Sequence, residues 1–262
     1  MIDIKELMRI LDSEAPLMLS EKQIEQGAYD NSGLLVHSHD EVKKILFSLD
    51  LSNEAVKKAK NLKCDTIITH HPAIYSPLKK LDKDSDSASV LNAIKNDINV
   101  ISMHLNLDVA SGGIDECLAR GLGGKECKHL FDTDEKHGYG REFSVEETTF
   151  LSFVKNAKQT FSTKRALSYG KDKVSIKKVA SFCGGGSEFV MRYIAGGGVA
   201  DVIVSSDLPH HVIKAVIERG KCLLVLTHYA SENYGFNVFY KNIGSDLNGK
   251  IETVFFEDKR FL

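Results

Sequence analysis

The chain has 262 residues, enough for one large domain or two small interlocked ones around a substantial core. Hydrophobic residues make up 42% and charged residues 27%, an ordinary globular balance. With 34 basic against 36 acidic side chains the formal charge is -2, and no Lys/Arg stripe alternates with aromatics, so no nucleic-acid partner is indicated.

The N-terminus, Met1-Ile2-Asp3-Ile4-Lys5-Glu6-Leu7, reads as the start of a charged amphipathic helix without the apolar stretch of a secretory leader. No segment approaches the roughly 18 apolar residues of a membrane span. The five cysteines (Cys64, Cys117, Cys127, Cys183, Cys222) lie far apart, which fits reduced core thiols better than disulfides or a zinc–thiolate site. A cytoplasmic protein is expected. Asp30-Asn31-Ser32-Gly33 is a turn by composition, and Lys79-Lys80-Leu81-Asp82-Lys83-Asp84 is a solvated loop of mixed charge.

Short β-branched runs predict strands at 44–49, 65–69, 98–103, 176–182, 201–205 and 222–226. Apolar residues at helical spacing predict helices over Glu54–Leu62, Ser87–Lys95, Asp207–Arg219 and Ser231–Lys241. Such alternation implies an α/β architecture with mostly parallel sheets covered by helices. The segment 128–165 breaks the rhythm. It reads as two short strands, near Leu130–Phe131 and Tyr139–Phe143, then a helix from Val145 to Gln159 capped by Ser144 with Glu147 three residues on.

The chain also repeats itself. CDTIITHHP (64–72) followed by INVISMHLNLD (98–108) matches ADVIVSSDLPHH (200–211) followed by CLLVLTHYASE (222–232). Each half opens an apolar strand behind an Asp, ends it in polar residues near a proline, and ends the next strand in a His with a carboxylate four residues later. The partition drawn from this pattern places 1–127 plus 222–262 in a first α/β lobe and 128–221 in a second.

The chemistry-bearing residues gather at predicted strand ends. His70-His71-Pro72 follows a buried strand, where extended backbone would send adjacent imidazoles to opposite sides, so each suits a different ion better than both suit one. The bland alternative is an exposed loop with two ordinary histidines. His228 and Glu232, at i and i+4, share a helix face, and His104 and Asp108 repeat the spacing. Single pairs of this kind are usually structural; their joint recurrence points to a metal site built from His70, His71, Asp108, His228 and Glu232. Imidazole and carboxylate donors suit zinc, iron or manganese. His104 is one histidine more than a five-ligand bridge requires, and reads either as a ligand or as a neighbour that orients Asp108 or shuttles a proton. His210 and His211 are explained as the first turn of a helix capped by Asp207. Cys183-Gly184-Gly185-Gly186-Ser187 is a tight turn or a phosphate-holding loop, with neither a P-loop Lys nor dinucleotide spacing. Gly196-Gly197-Gly198 is a helix stop.

Taken in order, YDNSGLLV (29–36), ITHHP (68–72), MHLNLD (103–108), FCGGGS (182–187), SSDLPHH (205–211) and LTHYASE (226–232) resemble the Ngg-interacting-factor-like family. Bacterial members of that family bear the name GTP cyclohydrolase 1 type 2 or its homologue. The resemblance spans about residues 25–240, with Ser32 and His37 standing where Val and Gly are expected. It implies two intertwined, duplicated α/β repeats, a dinuclear metal centre between them, and a homohexamer. It carries the ligand role onto His70, His71, Asp108, His228 and Glu232. The function it implies is opening of the guanine imidazole ring of GTP with release of formate. The ligand chemistry supplies a metal-activated hydroxide for that attack, and Glu232 and His104, the latter as a nearby proton carrier, are the catalytic candidates. A metal-stabilised scaffold or regulatory adaptor without turnover, or a dinuclear nucleotide phosphoesterase, are the alternatives.

Overall fold

The computed structural model describes residues 1–261. The chain divides into two compact units, Met1–Ala110 with Phe236–Asp258, and Ser111–Gly235 with the chain from Lys259. It therefore leaves the first unit after Ala110, returns to it at Phe236 and leaves it again at Lys259.

The first unit opens with β1 (Ile2–Asp3) and α1 (Ile4–Glu14). Asp3 caps this helix by accepting the Lys5 N–H, and Ile4, Leu7 and Leu11 form its buried stripe. There follow α2 (Leu17–Glu25), β2 (Gly33–Val36), β3 (Glu41–Val42), β4 (Lys44–Ser48) and α3 (Asn53–Leu62), the last capped by Ser52. The unit continues through β5 (Thr66–Thr69), α4 (Ala88–Lys95), β6 (Asn99–Ser102) and the short α5 (Leu105–Val109). In the second unit lie α6 (Ile114–Gly121), β7 (Lys128–Asp132), β8 (Gly138–Thr149), α7 (Phe150–Thr160), β9 (Ala166–Tyr169) and β10 (Ser175–Ser181). After them come α8 (Ser187–Ala195), β11 (Val202–Ser206), α9 (His210–Glu218) and β12 (Cys222–Leu226). The long α10 (His228–Asp246) begins in the second unit and ends in the first, which β13 (Glu252–Phe256) completes.

The sheet of the first unit has the order β13-β4-β5-β6-β2, all parallel except the edge strand β2. That of the second has the order β7-β8-β10-β11-β12-β9, with β10, β11 and β12 parallel and β9 antiparallel at one edge. The run β4-β5-β6 with antiparallel β2 beyond it thus has the topology of β10-β11-β12 with antiparallel β9 beyond it. The duplication extends to single hydrogen bonds. Asp65 accepts the Lys43 N–H at 2.9 Å, and Asp201 accepts the N–H groups of Lys177 and Lys178 at 2.8 Å. In both copies an Asp before the second parallel strand ties down the beginning of the first.

All six strands expected from β-branched runs are present. β5, β6, β11 and β12 are buried along their whole length, as strands covered on both faces should be. One core joins Leu46, Val56, Ile67, Val90 and Val100 in the first unit; another joins Phe182, Val190, Ile203, Val216 and Leu223 in the second. All five cysteines are free thiols, and four of them are buried. Among the described residues no helix is long and apolar enough to cross a membrane.

Two readings need correction. The helix expected from Val145 begins only at Phe150, behind a cap supplied by Thr149. Val145–Thr149 instead extend β8, pairing with β10 at Ile176↔Thr148 and Ser175↔Thr149. Val145, Thr148 and Thr149 favour the extended backbone, and Glu147 bonds Ser175 rather than closing a capping box. The compact units also differ from the partition drawn at 1–127 plus 222–262 and 128–221: residues 111–127 belong to the second unit, and so does β12, which hydrogen-bonds to β11 along five residue pairs.

Candidate metal centre

In the first unit β5 delivers its histidines directly. The N–H groups of His70 and His71 both donate to Leu49 O, at 3.1 and 3.0 Å, so the backbone leaves the strand before Pro72. The expected splaying of the pair does not occur: the rings lie 4.9 Å apart, because the chain is no longer extended where they project. His70 is fully buried and donates Nδ1–H to Met103 O at 2.8 Å. His71 donates Nδ1–H to Asp50 at 2.7 Å.

At the end of β6, His104 joins them. Its ring centroid is 5.2 Å from that of His70 and 5.8 Å from that of His71. One ring nitrogen from each of the three lies within 4.8 Å of the others. Nδ1 of His104 donates to Asp30 at 2.6 Å, and Asp30 also accepts from Ser20 and Ser32. Burial alone would raise the Asp30 carboxyl, but these hydrogen bonds outweigh it and hold it below the usual carboxylate range. Asp108, on α5 and nearly buried, places Oδ1 3.5 Å from Nε2 of His70.

In the second unit β12 runs into α10 through Thr227, whose Oγ1 accepts the Ala230 N–H. His228 opens the helix and Glu232 follows one turn later, with Nε2 and Oε1 3.0 Å apart. Nδ1 of His228 donates to Asp207 at 2.6 Å. Asp207 therefore does not cap α9, which starts behind Pro209 without a side-chain cap and carries His210 and His211 exposed on its first turn.

The Gly-rich loop forms a wall beside this pair rather than an anion cradle. Gly184 has φ 57°, and a Cβ there would collide with Glu232 Oε1 and meet His228 Nε2. Its N–H donates to Ser231 Oγ at 3.0 Å, that of Cys183 to Asp115 at 3.1 Å, and that of Gly186 to Gly184 O. Three N–H groups of the loop are thus already used by the protein.

A common device runs through both halves. Carbonyl and carboxylate oxygens accept Nδ1–H from His70, His71, His104 and His228, so in each neutral ring the lone pair stands on Nε2. At His70 that lone pair faces Asp108, and at His228 it faces Glu232. Two acceptors so placed repel unless positive charge lies between them. Within each pair a divalent cation would satisfy both acceptors, and nitrogen with carboxylate oxygen is a donor set for zinc, iron or manganese. Sequence reasoning named the candidate donors but missed the carboxylates that orient them. Asp30 was read as part of a turn and Asp207 as a helix cap, and Asp50 went unremarked. The available signal was an Asp one or two residues past a strand end, at Asp50 and Asp207.

Two α/β units whose sheets end in imidazole and carboxylate groups define an α/β protein with a candidate His/Asp/Glu metal site. The chain belongs to the Duf34/NIF3 (NGG1p interacting factor 3) family, whose profile matches residues 2–260. A relative from Clostridium perfringens, named GTP cyclohydrolase 1 type 2 homolog, is 30% identical over 234 residues, covering 87% of this chain and 86% of its own. A Methanocaldococcus jannaschii relative of the same name is 30% identical over 254 residues, covering 94% and 97%. The crystal structure of a Staphylococcus aureus hypothetical protein, SA1388, has the same fold, with a TM-score of 0.85 at 24% identity over 98% of this chain and 97% of that one.

Proposed function

We propose that the protein is a dinuclear-metal-dependent hydrolase in which His70, His71, Asp108, His228 and Glu232 serve one centre holding two divalent ions. The observation that carries this reading is the pairing of an imidazole lone pair with a carboxylate in both units, His70 with Asp108 and His228 with Glu232. That all five residues share one centre is what the family resemblance implies. Ions bound there lower the pKa of water and supply hydroxide at neutral pH.

The names of the relatives point to GTP as substrate. The reaction consumes two waters: one adds at C8 of guanine and opens the imidazole ring, and the second releases formate from the resulting formamide. The chain's own residues position and move protons. His104, held at Nδ1 by Asp30 with its ring 5.2 Å from that of His70, leaves Nε2 to carry a proton and suits a proton shuttle. Glu232, walled by Gly184, is fixed beside His228. The family resemblance adds a homohexamer to this proposal, and the scattered thiols add the cytoplasm.

The test incubates metal-replete protein with GTP and measures formate, alongside elemental analysis of His70→Ala and Glu232→Ala. The proposal expects about two first-row ions per chain in the wild type, with turnover and metal lost together in the variants. Formate production that survives in both variants, or wild-type protein without stoichiometric metal, overturns it.

A further inference from the structure

Beside the histidines of the first unit stand two aromatic rings that the fold does not use. Tyr29 and Tyr75 are 51% and 52% exposed, and their rings meet edge to face at 4.9 Å between centroids. Tyr75 is also edge-on to His104, 6.4 Å between centroids. Neither belongs to a regular element, yet both sit on anchored backbone. Asp30, next to Tyr29, is tied to Ser20, Ser32 and His104. Ile74, next to Tyr75, gives its carbonyl to the Asn31 side chain at 2.6 Å, and the Ala73 N–H donates to Ser102 Oγ at 3.1 Å. The Asn31 bond ties the Tyr29 turn to the Tyr75 loop, so the rings are held in relation to each other and to His104. Half-exposed aromatics bury little of their own area, while a rigid ring face beside a polar site suits a planar ligand.

We propose that Tyr29 and Tyr75 form a stacking platform that binds the planar heterocycle of the ligand whose polar end reaches His104 and its neighbours. The ligand class is therefore a fused heteroaromatic, a purine or pterin, rather than a simple phosphate ester or a peptide. This rests on the histidine constellation being the ligand site, and it does not require that the ligand be GTP.

Calorimetric titration of the metal-replete protein with GTP, ATP, 7,8-dihydroneopterin and inorganic tripolyphosphate tests it. Wild type binds at least one of the heterocycles more tightly than tripolyphosphate. Tyr75→Ala weakens that heterocycle roughly tenfold or more, the worth of one stacked base, and leaves tripolyphosphate binding and metal content unchanged. Tyr29→Ala acts in the same direction, while Tyr75→Phe, which keeps the ring face, binds as wild type. Stacking on Tyr75 by a heterocycle other than guanine sinks GTP as the substrate and leaves the platform standing. Wild type that binds none of the heterocycles overturns the platform, as does Tyr75→Ala that binds them undiminished or loses tripolyphosphate equally.

Discussion

Asp207 takes up a left-handed backbone conformation, φ 52°, and from it accepts Nδ1–H of His228 at 2.6 Å. Non-glycine residues enter this region at a cost, and Asp and Asn enter it most readily, since their short polar side chains bond locally. Here the strained residue orients a proposed metal donor. Asp207→Asn keeps the backbone and removes the charge behind the imidazole. Divalent-ion affinity is expected to fall by about 10- to 100-fold, measured by competition with a chromophoric chelator, with the metal-free melting temperature unchanged. A melting temperature that drops without any loss of affinity would assign Asp207 to the fold alone.

Gly184 is the second such point. Alanine there must hold φ 57° and would press on Glu232 Oε1. The left-handed conformation costs about 1–2 kcal/mol, and moving the buried Glu232 disturbs its 3.0 Å approach to His228. Gly184→Ala should lose bound metal as well as stability. Gly185, where an added Cβ meets nothing within 4 Å, is the control, and Gly185→Ala should retain metal. Equal metal content in the two variants contradicts the role given to Gly184.

Removing a ring from beneath the first constellation should act on stability. Phe236 is fully buried, with its centroid 6.1 Å from Phe47, 6.0 Å from Phe239 and 6.1 Å from both Phe255 and His70. Phe236→Ala is expected to destabilise metal-free protein by about 3–5 kcal/mol in urea titrations, and Phe236→Leu by clearly less. Comparable losses in both would mean that cavity formation is not the cause.

Behind the glycine loop Asp115 and Arg141 are both buried, 3.4 Å apart. Burial pushes the Asp115 carboxyl up to about 6, against the lowering effects of Arg141 and the Cys183 N–H. A carboxyl raised in the folded state favours folding fully below its ordinary 3.8, and that contribution is lost as pH rises through about 6. Arg141→Met leaves this group without its cation, a loss of about 3–5 kcal/mol when the carboxyl is charged. The destabilisation should therefore be larger at pH 7 than at pH 4.5, where Asp115 is neutral. A pH-independent loss would show that Arg141 acts only through its bonds to Gly138 O and Gly140 O.

Much of this protein is written locally. β5, β6, β11 and β12 follow from short β-branched runs, and the histidines and carboxylates at their ends follow from the repeated spacing of His104 with Asp108 and His228 with Glu232. Those signals survive because burial on both faces of a strand and one turn of helix depend on near neighbours in the chain. Tertiary structure decided what depends on distant ones. Val145–Thr149 became strand because β10 was available to pair with it, and β12 joined β11 because parallel ladders form across long connections. Asp30 reached His104 and Asp50 reached His71 across 74 and 21 positions of chain, and no local pattern records a hydrogen bond of that range. The candidate donors are legible in the sequence; which nitrogen each presents is set by groups that only folding brings near.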